Sequence, residues 1–357
     1  MSITVRSFAK INLGLSIGAL RPDGFHELRT VYQTIALHDI IRVHAVRGTG
    51  IEIRCEDPRV PRDQSNTCYR IVECAMAALK ARGRVIVEID KRLPVQGGLG
   101  GASGNAVTTL LALELALKKE LSGPERLRVA AEVGSDLPLF LVGGTALGVG
   151  HGEEVYPLPD LPAVPCVVAT PDIGVSTPQA FADWDARICS AGTVAREAVE
   201  RCSTWTAEGG RPHTSSAALT GLTASDRMLK FGRVLSAWLS AQNNAKSGKG
   251  LSGVSALGRG RAETPLLDLV RTGIENDFEQ VVFPQYPELR EVKSVLTRAG
   301  AFYASLSGSG SALYGLFEDR AKAEKAAIRL RRSGVEAQVT TTLTRRQYWR
   351  KFLVSGF

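Results

Sequence analysis

The residues best suited to chemistry lie in the glycine-rich stretch Leu93–Asn105, which holds five glycines within eight residues. Upstream, Val85, Val87 and Ile89 occupy alternate positions, the period-two pattern of a strand with one buried face. Downstream, residues 106–119 are apolar at helical spacing and end in two lysines, which suit a helix C-terminus. Glycines let backbone N–H groups approach a phosphate, and the N-terminus of a helix adds unpaired donors. The stretch is therefore predicted to bind phosphate groups.

Spacing excludes two better-known glycine motifs. A P-loop ends in Gly-Lys-Ser/Thr, whereas here Gly101 is followed by Ala102 and Ser103. No set of glycines in the stretch has the Gly-x-Gly-x-x-Gly spacing of a dinucleotide-binding fold. An ordinary glycine-rich turn between a strand and a helix remains the alternative, so other parts of the chain must decide.

The N-terminal segment carries the first candidate cation. Its apolar residues fall on odd positions and so share one face of an extended chain, namely Ile3, Val5, Ala9, Ile11, Leu13, Leu15 and Ile17. Lys10 and Asn12 then share the opposite face. A lysine on the outward face of a strand is usually solvated, and the pattern alone favours that interpretation over a functional one.

Two further stretches carry side chains that could take part in binding or catalysis. Residues 21–24 form a strong turn signal, and Phe25 and His26 follow it just before the extended run Thr30–Leu37. His26 is either a capping or surface histidine, or half of an aromatic–imidazole pair that binds a base. Asp136 heads an apolar stretch, where an aspartate is either a helix N-cap or a catalytic carboxylate.

Composition describes a globular chain whose excess positive charge is concentrated in one segment. Of the 357 residues, 44% are hydrophobic and 22% charged, and six scattered cysteines form no Cys-x-x-Cys pair. Residues 186–262 hold eleven Lys/Arg against four Asp/Glu, or +7 of the net +8. This segment is rich in Ser, Ala and Gly and is predicted to be an insertion with one helical patch near residues 228–239. It lacks a recognisable nucleic-acid module, so such a partner is disfavoured.

Five ordered motifs together resemble the GHMP kinase superfamily. They are Ser7–Leu15, Arg21–His26, Pro94–Ser103, Gly134–Pro138 and the second glycine–serine turn Ser307–Gly310. Within the superfamily the match is closest to the 4-diphosphocytidyl-2-C-methyl-D-erythritol kinases, because the first two motifs set these apart from homoserine, mevalonate and galactose kinases. The resemblance covers the chain except most of residues 186–262.

The resemblance implies an α+β fold of two domains with the active site in the cleft between them. The expected domains are residues 1–162, with the ATP loop and catalytic residues, and residues 163–357, with the insertion at about 186–262. The implied reaction is ATP-dependent phosphorylation of the 2-hydroxyl of 4-diphosphocytidyl-2-C-methyl-D-erythritol in the non-mevalonate isoprenoid pathway. Phosphorylation of another small alcohol, or nucleotide binding without catalysis, remains an alternative.

The family roles transfer to individual positions. Lys10 and Asp136 are the expected catalytic pair: the carboxylate accepts the proton of the attacking hydroxyl and the ammonium stabilises developing charge. The expected ATP-binding residues are Pro94, Val95, Gln96, Gly97, Gly98, Leu99, Gly100, Gly101, Ala102, Ser103 and Gly104. The expected substrate-binding residues are Asn12, Phe25, His26, Tyr32, Thr177 and Phe181, with Phe25 and His26 engaging the cytosine.

The expected ligands follow from the same resemblance. Mg²⁺ should accompany ATP, although the sequence offers no carboxylate that can be assigned as its ligand and Ser103 is only a candidate. The expected partner is a small molecule carrying a cytidine diphosphate group, bound by a cytoplasmic monomer or weak homodimer with no membrane segment.

Two positions depart from the family pattern. Gly104 stands where many members have a second serine, which removes a hydroxyl near the phosphates. Phe25 stands where tyrosine is usual, so stacking is retained and a phenol hydrogen bond is lost. Neither change involves Lys10 or Asp136.

Overall fold

The structure, a computed structural model, describes residues 2–95, 97–188, 228–233, 235, 236, 239 and 274–354. Two β-sheets form its frame, and the chain completes the first before entering the second. The strands of the first sheet are β1 (Ser2–Leu20), β2 (His26–Val46), β3 (Gly50–Cys55), β4 (Arg84–Asp90), β5 (Thr145–Val149) and β6 (Glu154–Pro157). Those of the second are β7 (Pro165–Thr170), β8 (Tyr303–Leu306), β9 (Leu313–Leu316) and β10 (Glu336–Thr341).

Eight helices with clear bounds cover these sheets. They are α1 (Thr67–Ala78), α2 (Gly101–Leu117), α3 (Gly123–Val133), α4 (Leu137–Val142), α5 (Glu279–Gln285), α6 (Pro287–Arg298), α7 (Arg320–Arg332) and α8 (Arg345–Phe352). Residues 177–188 and the described residues between 228 and 239 are also helical. The helical patch predicted near 228–239 is therefore confirmed for its described residues.

Strand pairing follows a simple order in both sheets. The long strand β2 pairs antiparallel with β1, and also with β4 and β5. The edge strand β3 runs parallel to β4, and β6 pairs with β5. In the second sheet the order is β10-β7-β9-β8, with every pair antiparallel. The strand predicted around Val85–Ile89 is present as β4.

Local sequence explains where the helices begin. Ser122 caps α3 in a capping box with Glu125, and Thr344 does the same for α8 with Gln347. The helix α2 has no side-chain cap and begins directly after Gly100, which has a φ of 69°. Its first-turn N–H groups therefore have no side-chain acceptor at the helix start, as a phosphate site requires.

In the described part of the chain, the core consists of three large apolar clusters and a small one formed by Phe8, Leu343 and Tyr348. One lies between the first sheet and helices α1 to α4, and a second lies between the second sheet and α5 to α7. A third joins the sheets, with Ile11 and Val31 of the first meeting Cys166 and Tyr314 of the second. The opposite face of β1, which bears Lys10 and Asn12, is covered by the loop before α2, where an added Cβ on Gly100 would lie 2.9 Å from Lys10 Cγ. The prediction that this face is solvated is wrong, because both residues are buried there.

The α+β fold expected from sequence is confirmed, with two sheets that are each covered by helices. The sheets are separated at residues 158–164, near the predicted boundary at residue 162, which stays a prediction. The final helix α8 returns to the first sheet and contacts β1. Most of the predicted insertion at 186–262 lies outside the described residues. Among the described residues, no helix has the length and apolar character needed to cross a membrane.

Candidate active site

A cleft of about 720 Å³ is lined by residues from both halves of the chain. The sequence-predicted residues that line it are Lys10, Asn12, Phe25, His26, Tyr32, Pro94, Val95, Gly97, Gly98, Leu99, Gly100, Gly101, Ala102, Ser103, Asp136, Thr177 and Phe181. Gln96 lies outside the described residues. The cleft therefore brings together positions more than a hundred residues apart in the sequence.

Gly104 is placed differently from the prediction, because it does not line the cleft. It is buried in α2 against β1, where an added Cβ would lie 3.0 Å from Ser7 Oγ and 3.1 Å from the carbonyl oxygen of Phe8. The close approach of helix to strand thus explains why glycine suits this position. The serine of other family members would need a shift of β1 here.

The glycine loop before α2 is held against the second glycine–serine turn. The Ser307 hydroxyl donates to the carbonyl of Gly98 at 3.1 Å, and Ala312 N–H donates to the carbonyl of Gly97 at 3.2 Å. Gly98 has a φ of +76°, and a Cβ there would lie 2.1 Å from the carbonyl oxygen of Ser307. The two halves of the chain therefore meet backbone to backbone beside the cleft, which only glycine allows.

Lys10 lies directly beneath this loop. Its backbone N–H donates to the carbonyl of Leu99 at 2.9 Å, and its Nζ donates to Asn12 Oδ1 at 2.7 Å. The amide of Asn12 is oriented by its Nδ2, which donates to Thr30 Oγ1 at 2.8 Å. Burial lowers the pKa of Lys10 from its ordinary value, and the nearby carboxylate of Asp136 partly opposes this shift.

Asp136 occupies the residue before α4 yet makes no side-chain cap. Its Oδ2 lies 3.7 Å from Lys10 Nζ, and its Oδ1 accepts a hydrogen bond of 3.0 Å from the hydroxyl of Tyr32. Tyr32 is buried, which together with the Asp136 carboxylate raises its pKa well above the ordinary value, so it stays a donor. The N-cap interpretation of Asp136 is therefore excluded, and its carboxylate faces the cleft.

The far end of the cleft is aromatic. The His26 and Phe181 rings are stacked with centroids 5.2 Å apart and planes 9° apart. His26 is buried, with Nδ1 3.2 Å from the carbonyl of Gly18 and Nε2 3.2 Å from Asp185 Oδ1. It is thus not a surface histidine, and both ring nitrogens already face acceptors. Phe25 is 56% exposed at the cleft edge.

Thr177 connects this end to the second glycine–serine turn. Its hydroxyl forms a hydrogen bond of 2.7 Å with Ser309 Oγ, and Gly308 and Ser309 both line the cleft. The roles of Phe25, His26, Phe181 and Thr177 in substrate binding stay predictions, although all four share one wall.

The opposite end holds a group that sequence reasoning missed. The buried carboxylate of Asp39 accepts hydrogen bonds from Lys91 Nζ at 2.8 Å and Asn105 Nδ2 at 2.9 Å. It also accepts from the N–H groups of Arg92 and Leu93, both at 2.7 Å. Asp39 thereby anchors the start of the glycine loop. Asp39 lies on β2, far from any sequence motif, so nothing in its local sequence marked it as a functional residue.

Other missed residues also border this end. They are Arg59, Val60, Pro61, Ser65, Asn66, Thr67, Cys68, Ile89, Lys91 and Asn105. Lys91 lies two residues before the stretch Leu93–Asn105 and Asn105 is its last residue, so a closer search of the ends of this stretch would have found them. Residues 59–68 are separated from every motif, and only packing brings them here.

Comparison with known proteins decides the family. The chain matches the GHMP kinases N terminal domain over residues 66–144 and the GHMP kinases C terminal model over residues 261–336. A 4-diphosphocytidyl-2-C-methyl-D-erythritol kinase of Solibacter usitatus (strain Ellin6076) is 36% identical over 88% of this chain and 81% of its own. The chain belongs to the 4-diphosphocytidyl-2-C-methyl-D-erythritol kinase family of GHMP kinases.

Further relatives agree with this family. A family member from Acaryochloris marina (strain MBIC 11017) is 31% identical over 92% of this chain and 91% of its own. The crystal structure of a 4-(cytidine 5'-diphospho)-2C-methyl-D-erythritol kinase has a TM-score of 0.65 and 28% identity, covering 96% of this chain and 99% of that one. A homoserine kinase from Cytophaga hutchinsonii ATCC 33406 shares the fold with a TM-score of 0.64 and 16% identity, covering 96% and 95%. This protein is therefore a GHMP kinase along most of its length.

Proposed function

We propose that this kinase transfers the γ-phosphoryl group of ATP to the 2-hydroxyl of 4-diphosphocytidyl-2-C-methyl-D-erythritol. The observation that carries the proposal is the group formed by Lys10, Asn12, Tyr32 and Asp136 beneath the glycine loop. This group lies in the same cleft as the glycine loop and the rings of Phe25, His26 and Phe181. The substrate is that of the family to which the chain belongs.

The glycine loop and α2 suit the ATP phosphates. Gly98 and Gly100 have positive φ angles, and α2 begins without a side-chain cap, so backbone N–H groups are available for phosphate oxygens. At 17 residues, α2 also provides a full helix dipole at its N-terminus. Phosphoryl transfer needs positioning and charge neutralisation more than covalent participation by the protein, and this arrangement supplies both.

Asp136 and Lys10 are assigned complementary tasks at the acceptor hydroxyl. The Asp136 carboxylate accepts the hydroxyl proton as the oxygen attacks the γ-phosphorus. Tyr32 donates to Oδ1 of Asp136, so Oδ2, which faces Lys10, is the oxygen assigned to the proton. The Lys10 ammonium, held by Asn12, stabilises the charge that develops between the acceptor and the phosphoryl group.

Mg²⁺ would arrive with ATP and neutralise charge on its phosphates. The described residues hold no group of three or more His, Cys, Asp or Glu arranged for a metal ion. Magnesium commonly binds through one or two protein ligands together with substrate phosphates and water, so a complete protein site is not required. Ser103, in the first turn of α2 and on the cleft wall, is the side chain proposed to approach it.

The decisive experiment combines a substrate panel with Asp136→Asn. We expect the wild type to phosphorylate 4-diphosphocytidyl-2-C-methyl-D-erythritol in preference to homoserine and mevalonate. Loss of the general base should lower kcat by about 10²- to 10⁴-fold while ATP binding, measured by calorimetry, is retained. Asp90→Asn, an exposed carboxylate of β4 paired with Arg92, is the matched control and should keep wild-type kcat.

Two outcomes would contradict the proposal. A wild type that binds ATP but phosphorylates none of these alcohols would indicate a nucleotide-binding protein without catalysis. A preference for a plain alcohol over the cytidine-bearing substrate would indicate a different small-alcohol kinase.

A further inference from the structure

The turn between β5 and β6 carries a histidine at the cleft to which no role has been assigned. The turn is tight: Gly152 N–H donates to the carbonyl of Val149 at 3.0 Å, and Gly150 and Gly152 have φ angles of +72° and +106°. The carbonyl of Gly150 accepts a bond of 2.6 Å from Leu28 N–H, which ties the turn to β2. His151, at its tip, lines the cleft.

The position of His151 along the cleft is specific. Its ring centroid lies 5.0 Å from that of Phe25, with the planes tilted by 30°. On its other side, the next residue touches the catalytic group, since a Cβ on Gly152 would lie 2.9 Å from the Tyr32 hydroxyl and 3.5 Å from Asp136 Oδ1. His151 therefore stands between the aromatic wall and the acceptor site.

Glu153 lies beside the imidazole of His151 and is bonded to its backbone. The backbone N–H of His151 donates to Glu153 Oε2 at 2.7 Å, and Nδ1 lies 3.3 Å from the same oxygen. Nε2 has no hydrogen-bond partner among the residues that the structure describes. When the ring is protonated, Nε2–H is a donor that carries positive charge and is available to a ligand.

Other cations along the described part of the cleft wall are already engaged. Lys10 donates to Asn12 and faces Asp136, and His26 faces Asp185. Lys91 and Arg59, which also line the cleft, pair with Asp39 and Asp57 respectively. Among the described lining residues, His151 is thus the basic side chain that has a ring nitrogen without a partner, Nε2, between the aromatic wall and Asp136.

We propose that His151 binds the diphosphate group of the cytidine-bearing substrate through Nε2. This inference rests on the proposed function, in which cytosine lies at the Phe25 wall and the acceptor hydroxyl at Asp136. In 4-diphosphocytidyl-2-C-methyl-D-erythritol the diphosphate is the link between those two parts, so it spans the stretch of cleft that His151 borders. An imidazolium can donate a charge-assisted hydrogen bond to such an anion.

The test compares His151→Gln and His151→Lys with the wild type. For His151→Gln we expect a KM for the cytidine substrate raised by about 10- to 100-fold, the size associated with a hydrogen bond to a charged group. The KM for ATP should stay within about twofold. His151→Lys keeps a cation and should recover much of the affinity. His44→Gln, which removes a histidine paired with Glu88 outside the cleft, should behave as wild type.

Calorimetry with CDP and with cytidine isolates the diphosphate. His151→Gln should weaken CDP binding by about 10- to 100-fold and leave cytidine binding unchanged. Equal losses for both ligands, or no loss for either, would overturn the assignment of His151. A wild type that binds CDP in a His151-dependent manner but phosphorylates no cytidine-bearing alcohol would instead contradict the proposed function and leave the diphosphate contact standing.

Discussion

At the scale of single residues, burial decides what Lys10 and Asp136 can do. Lys10 is 4% exposed, and its ammonium keeps two oxygen neighbours, Asn12 Oδ1 and Asp136 Oδ2. A buried ammonium is costly unless such partners are present, so its charge is maintained by groups that also face the acceptor site. Asp136, by contrast, keeps one oxygen for Tyr32 and the other for the cleft. The pair therefore offers a proton acceptor and a positive charge, which phosphoryl transfer to an alcohol requires.

The pH profile should report the state of Lys10. Because burial lowers the pKa of Lys10, its ammonium loses the proton at a lower pH than an ordinary lysine with a pKa of 10.5. If the protonated form is the active one, kcat at saturating substrates should fall on the alkaline side with an apparent pKa below 10.5. Lys10→Arg should remove that limb from whatever activity remains, since a guanidinium keeps its proton.

Unfolding must be separated from this titration. Circular dichroism across the same pH range, with recovery of activity after return to neutral pH, provides the control. A wild-type kcat that stays constant to pH 10.5 and beyond would show that the Lys10 ammonium is not titrating in the working enzyme.

At the scale of elements, two glycine turns from distant parts of the chain form one structure. Backbone carbonyls of the loop before α2 accept hydrogen bonds from Ser307 and Ala312. An added Cβ at Gly310 would lie 2.5 Å from the backbone N of Gly98. Such contact excludes side chains from both turns. The phosphate loop is thus shaped by the second half of the chain as well as by its own glycines.

Gly98→Ala should disrupt this contact. The positive φ of Gly98 and the predicted 2.1 Å approach of a Cβ to the Ser307 carbonyl both oppose alanine. We expect at least about 1 kcal/mol lower free energy of unfolding in urea and a marked loss of ATP affinity by calorimetry. Gly123→Ala, in α3 with nothing within 4 Å of the added Cβ, is the matched control and should be neutral or stabilising. Wild-type ATP binding by Gly98→Ala would show that the loop does not need this glycine.

At the scale of the whole molecule, the final helix fastens the second half of the chain to the first. Tyr348 of α8 is buried, its hydroxyl donates to the carbonyl of Phe140 at 2.7 Å, and its ring lies 5.4 Å from that of Phe8. Arg345 donates to the carbonyl of Thr145 at 2.7 Å. The chain therefore crosses between the two sheets at residues 158–164 and again after β10. Both crossings restrain how far the cleft between the halves can open.

Tyr348→Ala should weaken this attachment. Loss of a buried aromatic ring and its hydrogen bond is expected to lower the free energy of unfolding by about 3–5 kcal/mol, measured by urea denaturation. Arg346→Ala, an exposed position on the same helix, should change it by no more than about 0.5 kcal/mol. Equal effects of the two substitutions would show that α8 contributes little to the folded core.

The sequence by itself determined the secondary structure around the site and the candidates for catalysis. Local spacing encodes the strand at Val85–Ile89, the glycine loop and α2, because periodicity and glycine content act over a few neighbouring residues. The ordered motifs, through their resemblance to one family, identified Lys10 and Asp136. Family membership is confirmed by the relatives, whereas the individual roles are tested by the substitutions above.

Only the tertiary structure decided the environment of these residues. The alternation on β1 could not show that the two glycine turns cover Lys10 and Asn12, nor could the local context of Asp136 show that Tyr32 donates to one of its oxygens. Asp39 and His151 also acquire their places from packing across long sequence separations. The physical reason is that a side chain's charge state and hydrogen-bond partners depend on which distant segments exclude water from it. Those contacts form only when the chain is folded.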